Sequence, residues 1–296
     1  MIYRPPRGLG FIIGLFLTIW ASAATLFLVS RVVAGGIDFE AFLLGLATLF
    51  FGVLALLFMY WSFACLSTTY IVDRNGLAIQ WGAIRQLIPL AEIQRLVPGT
   101  NVKKPRIEGL GWWGHHIGKG QIRGLGTTLF YSTHRTRREL LYVVTADRAY
   151  GICVHDPVLF AREIQNRQLM GPTRAMKQVP IRNAFANQNF WGDRWVQALL
   201  FVGFAACAGL YGYVSWVYPG LPRMVDIEFP SLGGLTRVAS RDEILKIPTA
   251  ALVILVVDVA LAFVAHSWQR LLSYLLLLGG ISTQAVLAVA AVVALN

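Results

Sequence analysis

Two clusters of cations are the residues whose type and spacing come nearest to a chemical role. Lys103, Lys104 and Arg106 form one, and Arg135, Arg137 and Arg138 the other. A Lys or Arg held close to an anionic leaflet contributes about 1 kcal/mol of attraction. Six of them facing one way would hold a domain flat against its own membrane. The plainer reading is that they only mark the side of a membrane on which they are retained. Asp258 is a second candidate, because it sits near the middle of an apolar run. An ionisable group at that depth is costly and marks a partner or a pathway. Gln284, at comparable depth in the next apolar run, is expected to hydrogen-bond it, which makes the acid helix-to-helix glue. Proton or ion passage is the sharper alternative.

Other suggestive spacings fail on context. Gly109-Leu110-Gly111-Trp112-Trp113-Gly114 matches G-x-G-x-x-G. A dinucleotide site requires a strand before that run and a helix after it, so that the helix N-terminus holds the pyrophosphate. Here His115-His116-Ile117-Gly118-Lys119-Gly120 follows, too rich in glycine to be a helix, and residues 109–126 read as a long loop or loose hairpin. Trp112 and Trp113 belong either at a membrane interface or inside the domain. His115 and His116 are adjacent and would point to opposite faces of a strand, with no cysteine or carboxylate cluster nearby to complete a metal site. His134, His155 and His266 read as scattered. No nucleophile pairs with a base, so no catalytic residue, metal or cofactor is expected, and the chain reads as a non-enzyme.

The elements that position these residues are announced by composition. Of 296 residues 56% are hydrophobic and only 14% charged. Five apolar segments, 8–30, 41–66, 196–218, 247–266 and 271–295, approach or exceed the roughly 20 residues that span a bilayer as helix. The last two, joined by Ser267-Trp268-Gln269-Arg270, could instead form one re-entrant element. Between the second and third lies a polar stretch, 67–195, with 18 Lys and Arg against 8 Asp and Glu, nearly all of the chain's net charge of +11. Arg4 and Arg7 precede the first segment, the 35–40 loop carries only Asp38 and Glu40, and the 219–246 loop is neutral. By the retention of cations on the cytoplasmic side, the N-terminus and polar stretch are inside and the C-terminus outside. Ala21-Ser22-Ala23 mimics a signal-peptidase site, but the apolar run continues past it, against cleavage. Cys65, Cys153 and Cys207 show neither a disulfide nor a metal pattern, as suits a reducing compartment.

Residues 67–170 read as short strands in series, at 68–72, 77–81, 86–88, 93–97, 127–132, 140–145 and 149–154. Asn75-Gly76 marks a hairpin, because both residues tolerate positive φ. Asp156-Pro157 opens a closing helix, with Asp156 as its cap and Pro157 in its first turn. Thr69-Tyr70-Ile71-Val72-Asp73-Arg74-Asn75-Gly76-Leu77, Ile88-Pro89-Leu90-Ala91-Glu92-Ile93, Tyr150-Gly151-Ile152 and His155-Asp156-Pro157-Val158-Leu159-Phe160 together resemble bacterial pleckstrin-homology-like (PH-like) domains of multi-spanning membrane proteins. Residues 221–248 more faintly resemble an outside loop of bacterial membrane proteins. The first resemblance implies a fold, not a reaction. In eukaryotic PH domains lipid is bound by basic residues in a long first hairpin loop, and the short 73–76 turn with Arg74 alone does not support that route.

The resulting expectation is an α+β protein of the bacterial cytoplasmic membrane. It has about five transmembrane helices and an inserted cytoplasmic PH-like β-barrel or sandwich capped by a C-terminal helix. Its parts are a two-helix hairpin at 1–66, the β-domain at 67–170, a basic linker at 171–195 and a membrane region at 196–296. The expected role is a membrane-anchored interaction module that scaffolds a partner protein or docks on anionic phospholipid of the inner leaflet, without nucleic acid. The alternative is a transport or sensing protein that uses Asp258 and is regulated by the β-domain.

Overall fold

The computed structural model describes residues 1–102, 105–173, 178–181, 189–229 and 235–295. Among them are five helices long and apolar enough to cross a membrane. These are α1 (Gly8–Ala34), α2 (Phe39–Ser67), α4 (Arg194–Val217), α5 (Lys246–His266) and α6 (Arg270–Leu295). The final pair are two separate helices of 21 and 26 residues, each long enough to cross a membrane. The chain divides into two compact units, Met1–Ala23 with Phe51–Asn183, and Ala24–Phe50 with Ala184–Asn296.

The first unit holds the β-domain. One sheet is ordered β1 (Ile2–Tyr3), β2 (Thr69–Val72), β3 (Gly76–Trp81), β4 (Ile84–Pro89) and β11 (Val179–Ile181). The other is ordered β5 (Arg95–Pro98), β9 (Leu140–Val144), β10 (Ala149–Cys153), β8 (Gly126–Ser132), β7 (His115–Ile122) and β6 (Glu108–Trp112). Two short strands therefore join from outside the 67–170 stretch, β1 antiparallel to β2 and β11 antiparallel to β4. Leu77, Ile79 and Ile88 of the first sheet and Leu141, Val143 and Ile152 of the second share one buried core. Helix α3 (Pro157–Met170) closes that core with Phe160 and Ile164. Its start is as the sequence announces: Asp156 accepts from the amides of Val158 and Leu159 at 2.9 Å, with Pro157 in the first turn.

Tyr70 ties the sheets together. Its hydroxyl donates to the Tyr131 carbonyl at 2.7 Å and accepts from the Cys153 amide at 3.2 Å. Strands β8 and β10 run parallel and pair as far as Phe130 and Gly151, so the hydroxyl fills the place where their ladder ends. Full burial is tolerable for this phenol because both hydrogen-bonding roles are satisfied.

Residues 109–126 are more regular than the loop or loose hairpin expected of them. Strands β6 and β7 pair from Glu108↔Lys119 to Trp112↔His115. Gly109 and Gly118 face each other in that register. A Cβ on Gly118 would strike the Glu108 carbonyl, and Gly109 holds φ +148°. The glycine density here reflects close backbone approach rather than looseness.

In the second unit, α4, α5 and α6 pack together around Leu210, Val214, Leu255 and Leu277. Asp193 caps α4, accepting from the Trp195 amide at 2.9 Å and from the Tyr274 hydroxyl at 2.5 Å. The tyrosine hydroxyl, ahead of the backbone amides, lowers the Asp193 carboxyl below its ordinary range. Between 219 and 246 lies an antiparallel strand pair that the sequence reading did not anticipate, β12 (Met224–Phe229) with β13 (Leu235–Ser240).

Candidate functional site

The tips of two hairpins meet the N-terminal turns of α1 and the C-terminal turns of α2, all within the first unit. At the β3–β4 turn, Gly82 adopts φ +52° and its amide donates to the Ser67 hydroxyl at 2.8 Å. Trp81 lies edge-on to Tyr60, ring centroids 6.1 Å apart. At the β6–β7 turn, the Trp112 indole N–H donates to the Gly10 carbonyl at 2.9 Å, and the ring tilts against Trp61. Glycine at position 10 makes this fit, since a Cβ there would run into the Gly114 carbonyl. The Arg7 guanidinium donates to the Leu66 carbonyl, closing the open end of α2. Arg7, legible in the sequence as a topology mark, is thus also a helix cap.

His115 is wholly buried in this seam between Trp81 and Trp112, with centroids 6.1 and 5.0 Å away. Burial, with the His116 ring adding to it, lowers its imidazole to about 4. The ring is neutral at neutral pH and acts there as an aromatic filler.

His116 points to the other face, as alternation along a strand requires. There it stacks on His134, with centroids 4.3 Å apart and planes 34° off parallel. The sequence reading that left His134 scattered is corrected by pairing: His116 lies opposite Ser132, and His134 is two residues further on the same side. Ser132 Oγ and His134 Nδ1 are 2.8 Å apart. Burial, then the neighbouring His116, brings His134 down to about 3. Burial also lowers His116, opposed by its hydrogen bond to the His134 backbone.

The two stacked rings line a groove of about 710 Å³ together with Leu110, Trp113, Arg135 and Arg137. Trp113, at the hairpin tip, is 64% exposed. The Arg135 amide donates to Glu139 Oε2 at 2.8 Å, which shapes the turn so that the arginine side chains stay in solvent. Of the six cations singled out in the sequence, Arg135 and Arg137 line this groove. Arg106 and Arg138 are exposed outside the groove lining, and Lys103 and Lys104 lie outside the described residues. Arg74, in the first hairpin turn, is committed elsewhere, donating to the carbonyls of Met170 and Gly171 at 3.0 and 3.1 Å.

The intramembrane pair expected from sequence is not formed. Asp258 packs on Gly280, where a Cβ would meet its carboxylate oxygen at 2.8 Å. Gln284 is buried and its Nε2 donates to the Ala251 carbonyl at 2.7 Å. Helices α5 and α6 are antiparallel, so Gln284, one turn beyond Gly280, faces a level N-terminal to Asp258. Comparable depth in sequence did not translate into the same contact. Among the described residues no group of three or more His, Cys, Asp or Glu is placed to hold a metal ion.

Residues 68–168 match a family model described as a bacterial PH domain. The match covers the β-domain from β2 to β10 and most of α3, and leaves β1, β11 and the five apolar helices outside it. No curated protein and no solved structure matches the chain. The matched stretch is a PH-like domain, carried by a chain with five membrane-length helices.

Proposed function

We propose that this chain is a non-enzymatic membrane module whose PH-like domain lies against the anionic inner leaflet of a bacterial cytoplasmic membrane. In this reading the N-terminus and β-domain are cytoplasmic and the C-terminus is outside. The observation that carries it is the locking of the β6–β7 tip onto the first turns of α1 through Trp112 and Gly10. An apolar helix that enters the bilayer at Gly8 brings that tip to the headgroup level. Indole rings accumulate at that level, and the exposed Trp113 and the arginines at 135, 137 and 138 follow it there. Each cation so placed adds on the order of 1 kcal/mol of attraction to anionic lipid, screened within a Debye length.

Gentle crosslinking and purification in mild detergent tests this, comparing the native chain with Arg135→Glu/Arg137→Glu/Arg138→Glu. Anionic phospholipid retained by the native chain and lost in the variant supports leaflet docking. A specific protein lost in the variant instead would replace docking with scaffolding. Identical lipid and protein content in both would reduce the arginines to topology marks and overturn the proposal.

The second reading, ion or signal passage at Asp258, is less favoured by its surroundings. The carboxylate packs on a glycine of the adjacent helix, the setting of a helix–helix contact. Asp258→Asn separates the two readings: a folded but inactive chain would support passage.

A further inference from the structure

The groove beside the β6–β7 tip has a composition that general attraction to a charged surface does not require. Its lining combines cationic and imidazole side chains with apolar ones. It includes Arg135 and Arg137, the paired rings of His116 and His134, and the apolar side chains of Leu110 and Trp113. A guanidinium offers a planar fork of donors that matches phosphate oxygens two at a time. In the tautomer in which His134 Nδ1 accepts from Ser132 Oγ, one of the two directions that the 2.8 Å contact allows, Nε2 carries the ring proton and is a further donor. Free phosphate would use only the polar part. An amphiphile with a phosphate joined to an apolar body would use both.

Resting on the docking reading above, we infer that this groove is a discrete site for the headgroup of one anionic phospholipid drawn from the leaflet on which the domain lies. Arg135 and Arg137 take the phosphate oxygens, His134 donates to them, and Leu110 and Trp113 cover the glycerol and first methylenes. Such a site differs from diffuse attraction in being stoichiometric and in depending on groove residues rather than on net charge. It also lies at a different place from the first hairpin turn, whose Arg74 is tied to α3.

The test uses the full chain in nanodiscs of phosphatidylcholine with one-fifth phosphatidylglycerol, then gentle release and counting of bound lipid by native mass spectrometry. Arg137→Gln removes an exposed groove cation without touching the core, and His134→Gln removes the ring donor. Arg123→Gln is the equal-charge control, exposed in the turn after β7 at its far end. The expected result is one phosphatidylglycerol retained per native chain and per Arg123→Gln chain, with retention reduced tenfold or more in both groove variants. Unfolding temperatures within a few degrees of native would exclude misfolding as the cause.

Equal retention in Arg137→Gln and Arg123→Gln would overturn the discrete site. Displacement of the lipid by millimolar inorganic phosphate would overturn the lipid as its source. Failure of docking is read separately, from a fluorescent label on Thr136→Cys, an exposed position within the arginine turn that leaves Trp113 and the arginines in place. A label in the headgroup region with no lipid retained refutes the site and leaves docking standing. A label in bulk water refutes docking itself.

Discussion

At the scale of single residues, the seam between the β-domain and the first two helices depends on a few aromatic groups. Trp112 contributes one hydrogen bond and a half-buried ring. Trp112→Phe should cost about 1 kcal/mol for the lost bond. Trp112→Ala should cost about 3 kcal/mol through the cavity it leaves. Both are measured by thermal unfolding in detergent. His115 gives the seam a sign-defined pH dependence. Its folded pKa, about 4, lies below the ordinary 6.5 because it is buried. The unfolded chain therefore binds the extra proton first. Stability is full above pH 6.5 and declines as pH falls from there toward 4, by up to about 1.4 kcal/mol per unit. Unfolding temperatures across pH 7.5 to 4.5 should show this decline, and His115→Phe should flatten its contribution. Cys153 behaves oppositely in consequence: burial, with Glu139 second, pushes its thiol up to about 12, so it should resist thiol reagents at neutral pH.

At the scale of elements, most of the pattern was legible. Alternation and turn chemistry placed seven strands, and Asp156-Pro157 placed the start of α3, because these signals are local. What was not legible depended on pairing between distant residues. The glycines of β6 and β7 look like loop composition until Gly109 and Gly118 are brought into register. His116 and His134 look unrelated until β7 pairs with β8, although the two-residue step from Ser132 was present in the sequence. Asp258 and Gln284 showed the opposite failure: they were expected to pair, but helix phase gave them different partners. The close approach of α5 and α6 at Gly280 makes a prediction of its own. Gly280→Val should separate the pair and lower the unfolding temperature by several degrees, while Asp258→Asn should stay within about 1 kcal/mol of native if its role is packing. Unfolding followed by circular dichroism measures both.

At the scale of the whole molecule, five apolar helices and a PH-like domain define a membrane-associated module, and the charge distribution supplies its proposed orientation. The basic stretch was obvious in the sequence. The division of labour among the chain's cations was not, since Arg7 and Arg74 close helix ends while Arg135 and Arg137 line a groove. The central claim is that the β6–β7 tip and the arginine turn beside it rest at headgroup depth, and depth-dependent quenching of a label on Thr136→Cys, which leaves Trp113 and the arginines in place, tests it most directly. The buried native cysteines, Cys65, Cys153 and Cys207, allow that single position to be labelled in the folded chain. Nanodiscs carrying quenchers at the headgroup and at successive acyl carbons should quench most strongly at the headgroup and upper acyl positions. Quenching by aqueous iodide alone, with none from any lipid-borne quencher, would contradict the account.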